Sequence, residues 1–442
     1  MRVGAATHKI ILPDGFLPTE GFARQIDELH VRALVLEKER RLALLAVELT
    51  SLPPEEIKAL KAIACAASGA ERAFVCATHT FSAPHFMPDH QLDEAGRAKK
   101  EQLREAVQNA AREAARVAAQ GMKEARLTFG EARCAVNTAR DVETPLGWWI
   151  DKNGGGLVDH RMTAIGFTDE AGTRIATLLH YPIQSSVLDG SQLCEGGKVV
   201  SGDLAGWMAV EVEERTNAPA LFLIGAAGDQ APREKAVGFI VENGELRRTD
   251  RQDDAIEVGR RLAKEMAQAA LEAIASEQPI KADTLAITET EVVVPAKKME
   301  RDLHKLHPTR IAPYEADGVC MQPVCVLTLG EAQLVGVLPE LNCVTAKAIT
   351  QDHPLARVVT LFDGGAKYMA DADSYDRITY EAMNSPFGKG AAERLTEAAR
   401  SLLEKHNEKD SIHAVGFRDG ADLLLRRGCL CGSGQGCRGH HD

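Results

Sequence analysis

The sequence predicts an α/β fold of the mixed α+β kind, with layered sheets flanked by long helices. Three observations carry this. Short apolar runs alternate with long amphipathic ones through most of the 442 residues. The composition, 45% hydrophobic and 26% charged, is that of a globular chain able to bury a sizeable core. No internal repeat or long low-complexity linker interrupts the alternation before a short C-terminal tail, so residues 1–427 read as one domain and 428–442 as a separate flexible tail.

From the N-terminal side, Val31 to Leu36 and Leu42 to Leu49 read as two strands around the charged turn Glu37-Lys38-Glu39-Arg40-Arg41. Pro53-Pro54-Glu55-Glu56 opens a helix, with proline and acid in the first turn. There the proline sacrifices no hydrogen bond and negative charge meets the helix dipole. Residues 73 to 78 form the next strand, and Leu92 to Ala125 one long, alanine- and charge-rich surface helix. Met162 to Phe167 and Arg174 to Tyr181 read as a hairpin, and Ala220 to Ile224 as a buried strand running into Gly225-Ala226-Ala227-Gly228-Asp229. A second long helix covers 255 to 276, followed by β-rich sequence around Glu289 to Pro295. Val324 to Leu329 and Gln333 to Leu338 form a hairpin about Gly330-Glu331, and Ala391 to Lys405 the last helix. The segment from Lys297 to Gln322, broken by Pro308, Pro313 and Gly318, predicts an irregular excursion or lid.

A formal net charge of -12 argues against nucleic acid or an anionic membrane as the main partner, since both demand a basic surface. Met1 to Lys9 lacks the apolar core of a signal peptide, and no later apolar run would span a bilayer. The expectation is a cytoplasmic protein acting on a small molecule, with its oligomeric state left open. Of the ten cysteines, six (Cys65, Cys76, Cys134, Cys320, Cys325 and Cys343) are scattered among apolar neighbours, as buried thiols in a reducing compartment would be.

Chemistry concentrates at strand ends. Thr78-His79-Thr80-Phe81-Ser82-Ala83-Pro84-His85 leaves the apolar run Ala73 to Ala77, and two histidines in such a loop suggest metal binding or proton transfer. The bland alternative is a polar loop whose histidines meet only backbone carbonyls. Glu48, Asp203, Asp229 and Glu340 each follow a buried apolar or glycine-rich stretch. A lone buried carboxylate costs several kcal/mol, so each is expected to have a cation, a metal or backbone donors beside it. Taken singly, each reads equally as an N-cap or a turn carboxylate.

In order, these segments resemble the N-terminal catalytic domain of neutral/alkaline non-lysosomal ceramidases. Val3-Gly4-Ala5-Ala6-Thr7 with Ile11-Leu12-Pro13 is similar to that family's opening strand, and Ala77 to Pro84 to its ATHTHSGP loop. Val200 to Gly206 is similar to its VSxDxxG, Gly225 to Pro232 to its GAAGDxxP, and Leu338-Pro339-Glu340 to its LPGE. Tyr368 and Thr379-Tyr380-Glu381-Ala382 match the end of the domain. The resemblance implies a zinc-dependent amidase, in which two histidines, a glutamate and a tyrosine hold the metal.

Carried over residue by residue, His79 and Glu340 match family ligands. The second motif histidine is Phe81, a ligand histidine is replaced by Gln184, and the expected tyrosine falls at Gly365, with Tyr368 the nearest phenol. Ala231 stands where ceramidases have a serine. His85 or His180 could supply the missing nitrogen, although His180 and Gln184 lie about 13 Å apart on an extended strand and cannot exchange roles. The expected site is therefore zinc on His79, His85 and Glu340, with Asp229, Asp203, Gln184 and Tyr368 as catalytic or polar groups.

The implied function is hydrolysis of an amide or related acyl bond. Other readings are a metal-free lyase or isomerase using His79 for proton transfer, or an inactive binding protein on the same scaffold. With only three tryptophans and 5% aromatic residues, and Trp148-Trp149-Ile150 as the one exposed-looking apolar cluster, the substrate is expected to be small and water-soluble. It would meet Gln184, Ser185, Ser186 and Asp203. The tail from Gly428 to Asp442, with three cysteines and two histidines, could take a soft metal but is expected to be dispensable for folding.

Overall fold

The computed structural model describes residues 1–242, 245–300 and 305–407, so the tail lies outside the described residues. Three larger sheets make the frame. The first runs Arg72–Ala77, Arg41–Val47, Leu29–Glu37, Arg2–Ile10, Lys123–Glu124, and the second Ala220–Ile224, Arg174–Tyr181, Arg161–Thr168, Arg126–Arg133, Gln278–Ile280. The third runs Leu285–Lys297, Ala316–Leu329, Ala332–Val337, Ala356–Val359.

Each sheet is mostly antiparallel but ends in one parallel pair. A parallel pair needs a crossover. Helices Pro54–Ser68, Asp203–Thr216 and Cys343–Thr350 lie within those three crossovers. The first begins with proline and two glutamates and stops at Gly69, whose φ of 70° suits a residue without Cβ.

The sheets share one apolar interior. Leu34, Leu44 and Phe74 of the first meet Phe129, Ile165 and Leu178 of the second and Leu327 and Leu334 of the third. The outer face of each carries helices: Pro54–Ser68 and Glu94–Gln120 on the first, Asp203–Thr216 and Asp254–Ala275 on the second, Ala391–Asn407 on the third. Leu29–Glu37 is therefore buried on both sides, which is why Ala33 to Leu36 are apolar in succession rather than in alternation. The alanine stripe of Glu94–Gln120 lets that helix lie close on its sheet: a Cβ on Gly4 would sit 2.0 Å from the Ala118 carbonyl oxygen.

The expected excursion is shorter than the sequence suggested. Ala316–Leu329 pairs along nearly all of Leu285–Lys297, because alternation on this two-stranded arm continues past Gly318. Strands Arg126–Arg133, Asn137–Thr144 and Gly147–Asn153 and helix Asp203–Thr216 were not read from the sequence. Among the described residues, no helix is long and apolar enough to cross a membrane.

Candidate functional site

His79 follows the edge strand Arg72–Ala77 of the first sheet, Gln184 the strand Arg174–Tyr181 of the second, and Glu340 the strand Ala332–Val337 of the third. Ligands and catalytic groups gather at such carboxyl ends. Backbone hydrogen bonds stitch the loops: His79 N to Leu49 O at 3.0 Å, Phe81 N to Ser185 O at 3.0 Å, Ser201 N to Ser82 O at 2.7 Å, and Gly228 N to Leu341 O at 2.9 Å. His79 has a φ of 61°, a left-handed conformation costing a non-glycine residue about 1 kcal/mol or more, and it is held there by these contacts.

The three side chains converge. His79 Nδ1 donates to the Thr50 carbonyl at 2.6 Å, which fixes the tautomer and turns Nε2 toward Glu340 Oε2, 3.2 Å away. Gln184 Nε2 donates to the same carboxylate oxygen at 2.9 Å, while Gln184 Oε1 accepts from Arg140 Nη1 at 2.9 Å. Arginine has only donors, so its partner must be the amide oxygen, leaving the amide NH2 for Glu340. Arg140 also binds Glu381 Oε1 through Nε and Nη2 at 2.9 and 2.7 Å, and its guanidinium carbon lies 5.2 and 5.7 Å from the ring centroids of Tyr368 and Tyr380. Phe81 closes one side, its ring edge-on to His79 at 4.7 Å.

Charge in this buried cluster is set by opposing effects. Burial works against the His79 cation, but Glu340 and the Thr50 carbonyl outweigh it and raise the pKa above the usual histidine value. Burial likewise opposes ionised Glu340, yet His79, Arg140 and Gln184 hold it below the usual carboxylate value. Arg140 stays well above the usual arginine range in spite of burial, because Tyr368, Glu381 and Glu340 surround it. Beside it, Asp141 is pushed up to about 9 by burial and then by Glu381, to which it hydrogen-bonds. Asp141 Oδ1 and Glu381 Oε2 have no other donor, so a proton on Asp141 is what lets the two carboxyls coexist. Asp229 rises to about 7 through burial, opposed by hydrogen bonds from the Cys343 amide and Gln230.

The expected residues are placed as follows. His79, Gln184, Glu340 and Tyr368 come together, and Asp229 is one neighbour away, its carbonyl accepting from the Arg140 amide at 3.0 Å. Asp203 is fully buried at the start of its helix, where it accepts from the amides of Leu188 and Leu204. Glu48 is answered by Arg32 and His30. His85 points elsewhere: Nδ1 pairs with Glu20 at 2.7 Å and Nε2 faces the Thr50 hydroxyl at 3.2 Å. His180 belongs to the strand Arg174–Tyr181 itself, with Nε2 on the Val358 carbonyl at 2.8 Å. Arg140, Asp141, Glu381 and Tyr380 were not anticipated as site residues.

These donors do not fit a zinc centre. Zinc takes about four close ligands, mostly imidazole, thiolate or carboxylate. Here His79 and Glu340 supply two, the Gln184 oxygen is committed to Arg140, and that buried guanidinium sits where a metal's charge would be repelled. Among the described residues, no three or more His, Cys, Asp or Glu side chains converge closely enough to hold a metal ion.

No protein-family model matches the chain, and no curated protein does. Solved structures do. The neutral ceramidase from Pseudomonas aeruginosa superposes with a TM-score of 0.69 at 15% identity, over 96% of this chain and 77% of that one. A ceramidase complexed with C2 gives 0.67 at 15% identity, over 91% and 75%. At such low identity the likeness establishes architecture, and this chain has the fold of the neutral ceramidases.

Proposed function

We propose that the chain is a hydrolase of an amide or related acyl bond in a small polar substrate, acting at the His79–Glu340 pair. The observation that carries this reading is the meeting of His79, Glu340 and Gln184, from the strand ends of three sheets, in a fold shared with solved ceramidases. Since the donor set does not fit zinc, each step is assigned to this chain's own side chains. Glu340 takes the proton from a water that attacks the acyl carbon, the His79 imidazolium gives its Nε2 proton to the leaving nitrogen or oxygen, and the proton on Glu340 then passes to Nε2. Glu340 stabilises the His79 imidazolium through Nε2, and the Thr50 carbonyl fixes the ring through Nδ1. Gln184, Arg140 and Glu381 hold Glu340 in place, a chain in which each donor meets an acceptor.

The buried polar run Gln184-Ser185-Ser186, where the Ser186 hydroxyl has no partner, favours a water-soluble substrate over a lipid acyl chain, because polar groups left without partners would reject an apolar ligand. The test compares soluble amides and esters with N-acyl sphingosines in detergent, using wild type and His79→Ala. Cleavage of a soluble amide or ester, reduced on the order of a hundredfold or more in the variant, supports the reading. Equal rates in the two proteins would remove His79 from the reaction.

A further inference from the structure

A cavity of about 500 Å³, whose lining includes none of the His79 cluster's residues, lies between the segment 305–315, the end of Leu285–Lys297 and the helices Ala372–Arg377 and Tyr380–Met383. That is a size suited to a small organic ligand. Its walls include Leu306, Ile311, Ile378 and Met383, with Tyr314 and Tyr375 at 5.6 Å between ring centroids.

Four lysines line it, and three have carboxylates already: Lys298 with Glu315 at 2.6 Å, Lys305 with Glu300 at 4.0 Å, and Lys389 with Asp376. Lys297 differs. It is only 5% exposed, its Nζ donates to the carbonyls of Ala382 and Met383 at 2.6 and 3.1 Å, and it lies 5.2 and 5.6 Å from the ring centroids of Tyr314 and Tyr375. Among the described residues it has no carboxylate partner. Burying a cation without an anion is costly, and a strand-end lysine facing apolar sequence could have been replaced by leucine or methionine.

The geometry points to a binding site for a small monocarboxylate with an apolar body, its carboxylate paired to Lys297 and its body against Tyr314, Tyr375 and Ile311. Burial pushes the free Lys297 amine down to about 8, so an anion arriving there restores the charge that the empty cavity disfavours. The two carbonyls leave one N–H of the ammonium for it. No residue lining this site takes part in the reaction proposed at His79.

The probe is octanoate, titrated calorimetrically into the full chain at neutral pH, with octanol and octylamine as controls. Octanoate should bind, and the two controls should bind at least about tenfold more weakly, the size of one charge-assisted hydrogen bond. Lys297→Met should weaken octanoate by a similar factor. Should that variant fail to fold, Tyr314→Ala, at a residue 43% exposed on the rim, should still weaken octanoate severalfold. Failure of octanoate to bind the wild type at about 1 mM, octanol binding as tightly as octanoate, or unchanged affinity in the folded variants would overturn the assignment.

Discussion

Replacing Arg140 tests whether the site is a connected network or a collection of separate contacts. Arg140→Met keeps much of the side-chain length and removes the charge. Glu381, 0% exposed, then loses its cation while protonated Asp141 remains beside it. Breaking a buried ion pair costs about 3–5 kcal/mol, and losing the stacking on Tyr368 and Tyr380 adds about 1 kcal/mol. Glu381→Gln alone leaves a neutral acceptor on Arg140 and is expected to cost less, about 1.5–3 kcal/mol. In the double variant no charge is stranded, so the two changes should fall short of their sum by about 2–3 kcal/mol. Urea midpoints at pH 7, with the slope of each transition measured separately, give the four corners of the cycle. A coupling below about 0.5 kcal/mol would refute the network.

Three further outcomes follow. His180 is held neutral with its pKa pushed down to about 4 by burial, against 6.5 unfolded, so its stabilisation is complete above pH 6.5 and lost as pH falls toward 4. That amounts to about 3 kcal/mol, and the slope over this window should flatten in His180→Gln when melting temperatures are compared across pH. Gly330→Ala places a Cβ 1.7 Å from the Lys281 carbonyl oxygen at a φ of 62°, so a loss of more than about 2 kcal/mol is expected by denaturant titration. Gln184→His adds an imidazole beside His79 and Glu340, so after dialysis against zinc it should retain more metal than wild type by elemental analysis; equal content would count against the donor-set argument.

The meeting of side chains at the strand ends was legible because a histidine or glutamate soon after a buried apolar run has few other places to go. His79 and Glu340 are both cases. His85, six residues beyond His79, was misleading because loop direction is set by tertiary hydrogen bonds: Phe81 and Ser82 are pinned to Ser185 and Ser201, which carries the chain outward to Glu20. Arg140 left no local signal. A buried arginine has the same spelling as a surface one, and its partner Glu381 lies 241 residues away. The strand that carries it packs against the short strand Gln230–Pro232 and the hairpin partner Gly147–Asn153, so burial comes from neighbours rather than from its own periodicity. The excursion after Lys297 was overextended for the opposite reason: Pro313 and Gly318 looked like breakers, but only the first lies outside the paired arm.

Acyl-bond hydrolysis by the His79–Glu340 pair, as proposed, needs no bound metal. Turnover of a panel of soluble N-acyl amides and esters, in excess chelator, by wild type and Glu340→Gln tests it most directly. The wild type should cleave at least one compound, and the variant should be slower by on the order of a hundredfold or more. A wild type that is inactive until zinc is restored, or a Glu340→Gln variant as fast as wild type, would contradict it.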